Sequence, residues 1–279
     1  MVCEFHPQGV DMNSPQSVYQ DEVGRIKEPA KLERSVLSSK IELTAKIEPF
    51  DSFWEAPEDI EKGYASFYQF YKCNYLKHLP RDKEAQILVI SCGSGYFVNL
   101  LDKEGYRNVL GIDSSGEKVR HAKERNLNCR TEEAFPFLEK HKEQYDAIFC
   151  EQELNHLTKK EILLFLQLCR ESLREEGILI VHVLNGANPI TGAEALAQNF
   201  DHYNTFTEYT LRQALEYSHF DGAQVIPLNL YVFYKNPLNY FLIVLDRLYT
   251  VFFRFSFMLY GKSNKIFTKK IAGICRKKN

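Results

Sequence analysis

Between residues 83 and 184 the chain alternates short apolar runs with longer stretches in which apolar residues recur every three or four positions. The runs are four to seven residues long and rich in Ile, Val and Leu, which is typical of parallel strands buried on both faces. They are Ile87–Ile90, Val109–Ile112, Ala147–Cys150 and Ile178–Leu184. Strands that alternate with amphipathic helices at this spacing predict a doubly wound α/β sheet.

Two helices are predicted by their own patterns. From Pro57 to Leu79, apolar and aromatic side chains recur at helical spacing; they are Ile60, Tyr64, Phe67, Tyr68, Tyr71 and Tyr75. From Lys159 to Arg174, a second helix begins after Thr158 as N-cap, with Glu161 completing a capping box, and is stopped by Gly177.

The composition, with 44% apolar and 26% charged residues, is that of a folded protein and excludes a mostly disordered or low-complexity chain. Seven cysteines without a C-x-x-C pair indicate reduced thiols in the cytoplasm rather than a disulfide framework or a metal site. The N-terminus shows no secretory signal pattern. We predict a loosely ordered arm at 1–50, a helical segment at 51–82, the α/β domain at 83–235 and a tail at 236–279.

The net charge of −2 hides an uneven distribution along the chain. The tail carries nine basic residues and one acidic residue, a net charge of +8, so the first 235 residues carry −10. Between Leu238 and Tyr260 the tail is apolar and aromatic, and its polar residues follow one helical stripe, except for Ser256. This pattern predicts a helix lying in the plane of an anionic membrane, on its inner face. The alternative is a helix packed on the domain or on a partner subunit; no nucleic-acid partner is needed to explain the charge.

A glycine-containing loop follows the first predicted strand. Ser91, Gly93 and Gly95 allow the backbone to turn tightly and to approach a ligand closely. Asp113 ends the second strand, where a carboxylate can accept both hydroxyls of an adenosine ribose; the alternative role is the N-cap of the next helix. A dinucleotide fingerprint would have a third glycine where this chain has Val98, so the loop favours a cofactor without phosphates.

From about Ile87 to Pro227 the chain resembles the class I S-adenosylmethionine-dependent methyltransferases. The resemblance rests on the loop, on Asp113, on Glu133-Ala134, on the Tyr145–Cys150 strand and on the Leu154–Leu157 segment. It implies a Rossmann-like, seven-stranded doubly wound sheet with helices on both faces, and S-adenosylmethionine as the cofactor.

The resemblance also implies roles for individual residues. Gly93 and Gly95 would face the amino-acid end of the cofactor, and Asp113 would hold the ribose. Glu133 and the Ala134 backbone would read the adenine, and Glu151 would lie below the methylthio group. Ser91 and Ser114, which flank these positions, complete the predicted cofactor-binding set. Tyr64, Tyr68 and Tyr71 of the first helix, with Trp54, are predicted to close over the cofactor; the alternative is that they pack in the core.

Three positions depart from the family pattern. Val89 replaces an acidic residue, Ser91 replaces the first glycine of the loop, and Asn155 replaces a glutamate. The changes at Val89 and Ser91 leave open a second hypothesis, a methyltransferase-like binding module without catalysis.

The acceptor side is predicted after the fifth strand, where residues 186–206 form a long polar insertion suited to a substrate lid. This region resembles methyltransferases of bacterial surface-polysaccharide pathways, which implies O-methylation of a sugar or glycan, free or lipid-linked. A quinone, a lipid or another small molecule is the alternative acceptor. His202 is the first candidate for the base and His156 the second, with Glu151 and Glu153 as partners that orient an imidazole or the sugar. Both histidines could instead have structural roles, and His182 is expected to be buried.

Overall fold

The computed structural model describes residues 57–197, 202–228 and 238–278. The predicted arm at 1–50 and Trp54 lie outside these residues. The helices are α1 (Pro57–Tyr75), α2 (Tyr96–Lys103), α3 (Gly116–Glu124), α4 (Ala134–Lys140), α5 (Lys159–Ser172), α6 (Gly192–Ala197), α7 (Glu208–Tyr217) and α8 (Leu238–Leu259). Short 3₁₀ helices span Leu76–His78 and Glu153–His156. The strands are β1 (Gln86–Ile90), β2 (Asn108–Asp113), β3 (Cys129–Thr131), β4 (Tyr145–Glu151), β5 (Leu173–Leu184), β6 (Asp221–Pro227) and β7 (Lys270–Arg276).

The strands form one seven-stranded sheet in the order β3-β2-β1-β4-β5-β7-β6, which confirms the predicted doubly wound, Rossmann-like α/β fold. β1 to β5 pair in parallel, and β7 is antiparallel to both of its neighbours. The strand order reverses between β1 and β4. In open α/β sheets ligands bind at the carboxyl ends of the strands on either side of such a reversal.

The tail differs from its prediction because it also supplies a strand of the sheet. β7 lies between β5 and β6 and pairs with β5 over seven residues, from Ile178 to Leu184. A domain boundary at 235 is therefore too early. The charge pattern hid this strand because its short apolar centre, Ile271–Cys275, is enclosed by basic residues at both ends.

The predicted helix at 159–174 ends two residues early, after Ser172, and its capping box at Thr158 and Glu161 is confirmed. The next residues extend β5 toward its amino end, where Leu173 pairs with Tyr145. Arg174 then forms an ion pair of 2.8 Å with Asp146. The strand gains hydrogen bonds from its neighbours that a longer helix could not make.

Helix α1 covers one face of the sheet with aromatic side chains. Tyr71 and Tyr75 pack edge-on against Phe97 of α2, at ring-centroid distances of 5.1 and 5.9 Å. Phe97 in turn stacks on Phe149 of β4 at 3.8 Å. Because each buried aromatic residue removes a large apolar area from water, this layer holds α1 firmly over β1 and β4.

The packing of β7 against α7 can be tested at Gly273, where the helix approaches the sheet more closely than at any other described glycine. At Gly273 of β7, an added Cβ would lie 2.7 Å from Leu215 Cδ1 and 3.2 Å from Leu211 Cδ2 of α7. We expect Gly273→Ala to lower the free energy of unfolding by about 1–3 kcal/mol, because overpacking forces buried side chains to move.

The matched control is Gly116→Ala in α3, where the nearest atom to an added Cβ is Thr131 Oγ1 at 3.8 Å. Urea unfolding should show this variant to be as stable as the wild type or slightly more stable, since alanine favours helix. Equal stability of the two variants would contradict the packing of β7 against α7.

Candidate functional site

The loop after β1 has the left-handed backbone that its small residues suggested. Ser91, Gly93 and Gly95 have φ values of 55°, 52° and 80°. An added Cβ at Gly93 would meet no atom within 4 Å, whereas at Gly95 it would lie 3.0 Å from Ala122 and Leu127. Gly95 therefore lets the loop pack closely on the protein, while Gly93 leaves open space above the backbone. That open space suits a ligand that approaches the main chain directly.

Asp113 ties the end of β2 to this loop. Its Oδ2 accepts a hydrogen bond of 2.9 Å from the Gly93 N–H, and its Oδ1 accepts one of 2.8 Å from the Ser115 N–H. The N-cap of α3 is Ser115, whose side chain accepts from the Lys118 N–H. The helix-cap role that sequence left open for Asp113 therefore belongs to Ser115. Since an ionised carboxylate has about four acceptor sites, Asp113 keeps capacity for ligand hydroxyls.

The predicted adenine-binding residues lie beside Asp113. The Glu132 N–H donates to the main-chain oxygen of Asp113 at 3.0 Å, which holds the turn after β3 against the end of β2. Glu133 is the exposed N-cap residue of α4, and Ala134 is the first residue of that helix. Ser114 is exposed next to Asp113. The predicted cofactor residues from β1, β2 and β3 thus meet at one edge of the sheet.

Ser91 has a contact that a glycine could not make. Its hydroxyl donates to Glu153 Oε2 at 2.5 Å, joining the loop after β1 to the 3₁₀ helix after β4. This bond offsets the cost of a non-glycine residue at positive φ. Glu153 was expected to orient an imidazole or the sugar; the contact that the structure gives it is with Ser91.

Glu151 ends β4 in a mostly buried position, with 18% of its side chain exposed. The Tyr71 hydroxyl of α1 donates to its Oε2 at 2.5 Å, and the Nδ1 of His182 lies 3.2 Å from its Oε1. Burial raises the pKa of Glu151, and the charge of Lys270 and the Tyr71 hydrogen bond oppose that rise. Glu151 therefore contacts the imidazole of His182, a partner that the sequence did not indicate.

His182 is fully buried in β5, as expected from the apolar run around it. Burial, with the positive charge of Lys270 as a second cause, lowers the pKa of His182 well below its usual value. The ring is therefore neutral near pH 7. Lys270 is the first residue of β7, so the tail brings a positive charge to the site.

Two of the three tyrosines predicted to close over the cofactor reach this edge. Tyr64 donates to the main-chain oxygen of Ser94 in the glycine loop at 2.5 Å, and Tyr71 donates to Glu151. Tyr68 instead donates to Glu104 at 2.5 Å, beyond α2. Helix α1 is therefore hydrogen-bonded both to the loop after β1 and to the end of β4.

The two candidate bases lie together. The rings of His156 and His202 are 4.6 Å apart between centroids, in an edge-to-face arrangement. His202 is buried, and its Nδ1 lies 2.7 Å from the Ala195 carbonyl oxygen of α6. Because a carbonyl oxygen can only accept, this contact places the hydrogen of the neutral ring on Nδ1 and the lone pair on Nε2.

The position of His202 beside His156 follows from the hydrogen bonds of Asn155 to the residues that come directly after His202. Its Nδ2 donates to the Asn204 oxygen at 2.6 Å and its Oδ1 accepts from the Leu184 N–H at 3.3 Å. Its own main-chain oxygen accepts from the Tyr203 N–H at 2.8 Å. A glutamate, as in the family pattern, could not donate the first of these bonds. Asn155 thus fastens the end of the predicted lid to β4 and β5.

A cavity of about 710 Å³ lies at the opposite edge of the sheet. Its lining includes Lys77, Arg81, Glu176, Asp221 and Arg276, and none of the predicted site residues. This cavity lies at the amino ends of the strands, whereas ligands of open α/β sheets bind at the carboxyl ends. The carboxyl edge remains the candidate site because the glycine loop, Asp113 and Glu151 meet there.

Comparison with known families agrees with this location. Residues 87–177 match the family model described as a methyltransferase domain. The match runs from β1 into β5 and so contains every predicted cofactor residue. No match to the sequence was found among curated proteins.

Solved structures show the same fold. An S-adenosylmethionine-dependent methyltransferase from Archaeoglobus fulgidus is 16% identical and superimposes with a TM-score of 0.58, covering 82% of this chain and 98% of its own. One from Thermotoga maritima is 15% identical with a TM-score of 0.54, covering 83% and 100%. A Haemonchus contortus N-methyltransferase, solved with phosphomonomethylethanolamine and S-adenosylhomocysteine, is 13% identical with a TM-score of 0.54, covering 84% and 61%.

The role of Asp113 can be tested by binding. Hydrogen bonds to charged groups contribute about 1.5–3 kcal/mol, so Asp113→Asn should weaken S-adenosylmethionine binding roughly 10- to 100-fold in calorimetric titration. Asp102→Ala, at an exposed position of α2, is the control and should bind like the wild type. Unchanged affinity in Asp113→Asn would remove Asp113 from the cofactor site.

The buried carboxylate predicts a pH dependence of stability. Because the pKa of Glu151 is raised in the folded state, its ionised form is penalised by folding. The stabilising effect of its protonated form is complete below the unfolded pKa and is lost as the pH rises through the folded one. We therefore expect Glu151→Gln to become progressively more stable than the wild type as the pH rises from about 4.3 towards neutrality.

Urea unfolding across this pH range measures the effect. Glu139→Gln, at an exposed position of α4, is the control for removing a surface carboxylate and should follow the wild-type curve. A Glu151→Gln advantage that does not change with pH would mean that ionisation of Glu151 is not the cause.

Proposed function

We propose that this chain is a class I S-adenosylmethionine-dependent methyltransferase that methylates a hydroxyl oxygen of a sugar or glycan acceptor in cell-surface polysaccharide synthesis. We infer a hydroxyl acceptor from the pair formed by His156 and His202. A hydroxyl is a weak nucleophile until its proton is removed, and a neutral imidazole with a free-base nitrogen is the kind of group that removes it.

The proposed transfer needs one base and one fixed geometry. S-adenosylmethionine supplies a methyl group activated by its sulfonium. As the acceptor oxygen bonds to the methyl carbon, the carbon–sulfur electron pair remains on sulfur and the hydroxyl proton passes to His202 Nε2. The bond between His202 Nδ1 and the Ala195 carbonyl keeps the lone pair on Nε2. His156, in contact with the same ring, takes the second role of orienting His202.

The acceptor class is supported by the lid. Asn185 directly precedes it and Asn188 lies near its start, and their side-chain amides donate to the main-chain oxygens of Thr268 and Phe267 at 2.8 and 2.6 Å. The resemblance of residues 186–206 to polysaccharide methyltransferases favours a sugar hydroxyl over a quinone or another small molecule. The exposed apolar surface of α8 favours an acceptor that is attached to a lipid.

Loss of the base gives the sharpest test. We expect His202→Asn to lower methyl incorporation about 100-fold or more, in the range that general base catalysis contributes. Asparagine retains a donor for the Ala195 carbonyl, which limits disturbance of the fold. Incorporation is followed by mass spectrometry after incubating labelled S-adenosylmethionine with cell-envelope extracts, and cofactor affinity is followed by calorimetry.

The two readouts separate the hypotheses. His121→Gln in α3 is the control and should be fully active, and His202→Asn should bind the cofactor with wild-type affinity. Full activity of His202→Asn would exclude His202 as the base. Tight cofactor binding by the wild type without incorporation into any glycan or lipid would favour the non-catalytic binding module.

A further inference from the structure

Helix α8 presents an apolar face to solvent. Phe241, Leu248, Phe252, Phe255 and Leu259 follow one another at intervals of seven, four, three and four residues, so they share one side of the helix. Each of them is more than half exposed. We call these five residues the apolar face of α8. Monomeric soluble proteins rarely leave so many large apolar side chains in water, and such surfaces mark interaction sites.

The other side of the helix faces the protein. The ring of Phe257 lies 4.7 Å from that of Phe267, which is buried just before β7. Asp246 and Thr250, on the polar stripe of the helix, are partly buried. Part of the polar stripe therefore faces the protein while the apolar side faces water, contrary to the usual arrangement of a surface helix.

The apolar face does not cross a membrane. Within the described part of the chain, no helix is both long enough and apolar enough to do so. In α8 the apolar sequence is interrupted by Asp246, Arg247 and Arg254, each of which is costly in the hydrocarbon core. A helix lying along the interface can bury its apolar face and keep these charges in water.

Positive charge lies beside the apolar face. Arg247 and Arg254 are exposed on the flank of α8, and Lys262 and Lys265 are exposed just after it. By contrast, Arg276 and Lys277, at the far end of β7, donate to the main-chain oxygens of Glu176 and Leu173. The structure therefore divides the basic tail into a set next to α8 and a set that secures the sheet.

We propose that α8 docks in the plane of an anionic lipid surface. Its apolar face enters the boundary between headgroups and acyl chains, and Arg247, Arg254, Lys262 and Lys265 contact lipid phosphates. A second copy of the chain is a poorer occupant, because pairing two such faces brings basic residues of like sign together. Anionic lipid provides both the apolar phase and the opposite charge.

This docking also places the lipid near the lid. The segment between α8 and β7 is held by Asn185, which donates to the Ile266 and Thr268 oxygens, and by Asn188, which donates to the Phe267 oxygen. These asparagines lie where the predicted lid begins, at the carboxyl end of β5. That a lipid-linked acceptor is the substrate rests on the proposed function, whereas the docking does not, because it is measured without turnover.

The test is co-sedimentation of the full chain with vesicles of phosphatidylcholine alone or mixed with phosphatidylglycerol. We expect binding to the mixed vesicles that weakens with added salt. Arg247→Gln with Arg254→Gln should lower the partition coefficient roughly 30-fold, the effect of two basic residues at an anionic surface. Leu248→Gln, Phe252→Gln and Phe255→Gln combined should abolish binding.

Tyr217→Gln, at an exposed aromatic position of α7, is the matched control and should bind like the wild type. Circular dichroism confirms that each variant is folded, which is expected because the changed side chains are exposed. Equal binding by the triple variant would overturn the proposal. So would a dimer in light scattering that the triple variant converts to monomer, if the wild type does not bind vesicles.

Discussion

The hydrogen bond between the Asp113 carboxylate and the Gly93 N–H is the interaction on which the carboxyl edge of this protein depends. A loop with three residues at positive φ has few stable conformations of its own, and one of the three is a serine. The Asp113 carboxylate stabilises one loop conformation by accepting hydrogen bonds from the Gly93 N–H and the Ser115 N–H. The residue that would hold a ribose is thereby also the residue that shapes the loop.

The second constraint is a buried carboxylate. Glu151 is enclosed by Tyr71 of α1 and His182 of β5, and burial raises its pKa. Burying such a group is unfavourable for folding unless hydrogen bonds and nearby charge offset the loss of hydration. Tyr71 and Lys270 supply that offset, one from the helix before the sheet and the other from the last strand. Elements from both ends of the described chain therefore act on one carboxylate.

How far the sequence could predict this arrangement depended on the kind of signal. The apolar runs and the small residues of the loop are local features, and they located β1, β2, β4 and β5 and the turn at Gly93 and Gly95 correctly. β7 was missed because its apolar centre is short and its flanking charges dominated the average. The contacts of Ser91 with Glu153 and of Glu151 with His182 join residues more than 30 positions apart. No spacing rule encodes such pairs, since they exist only once the sheet is assembled.

The division of charge that is visible in the sequence has a different meaning in the folded chain. Lys270 acts on the buried site, Lys277 donates to the Leu173 oxygen at the far edge, and Arg247, Arg254, Lys262 and Lys265 lie exposed on or just after α8. A run of basic residues is usually interpreted as one electrostatic surface. Here β7 separates the basic residues near α8, at the carboxyl edge of the sheet, from Arg276 and Lys277 at the amino edge. Because the segment that follows α8 is fastened to the start of the lid through Asn185 and Asn188, a lipid-bound helix would restrict the orientation of the lid relative to the membrane. An acceptor anchored in that membrane would then need to search only two dimensions to reach His202.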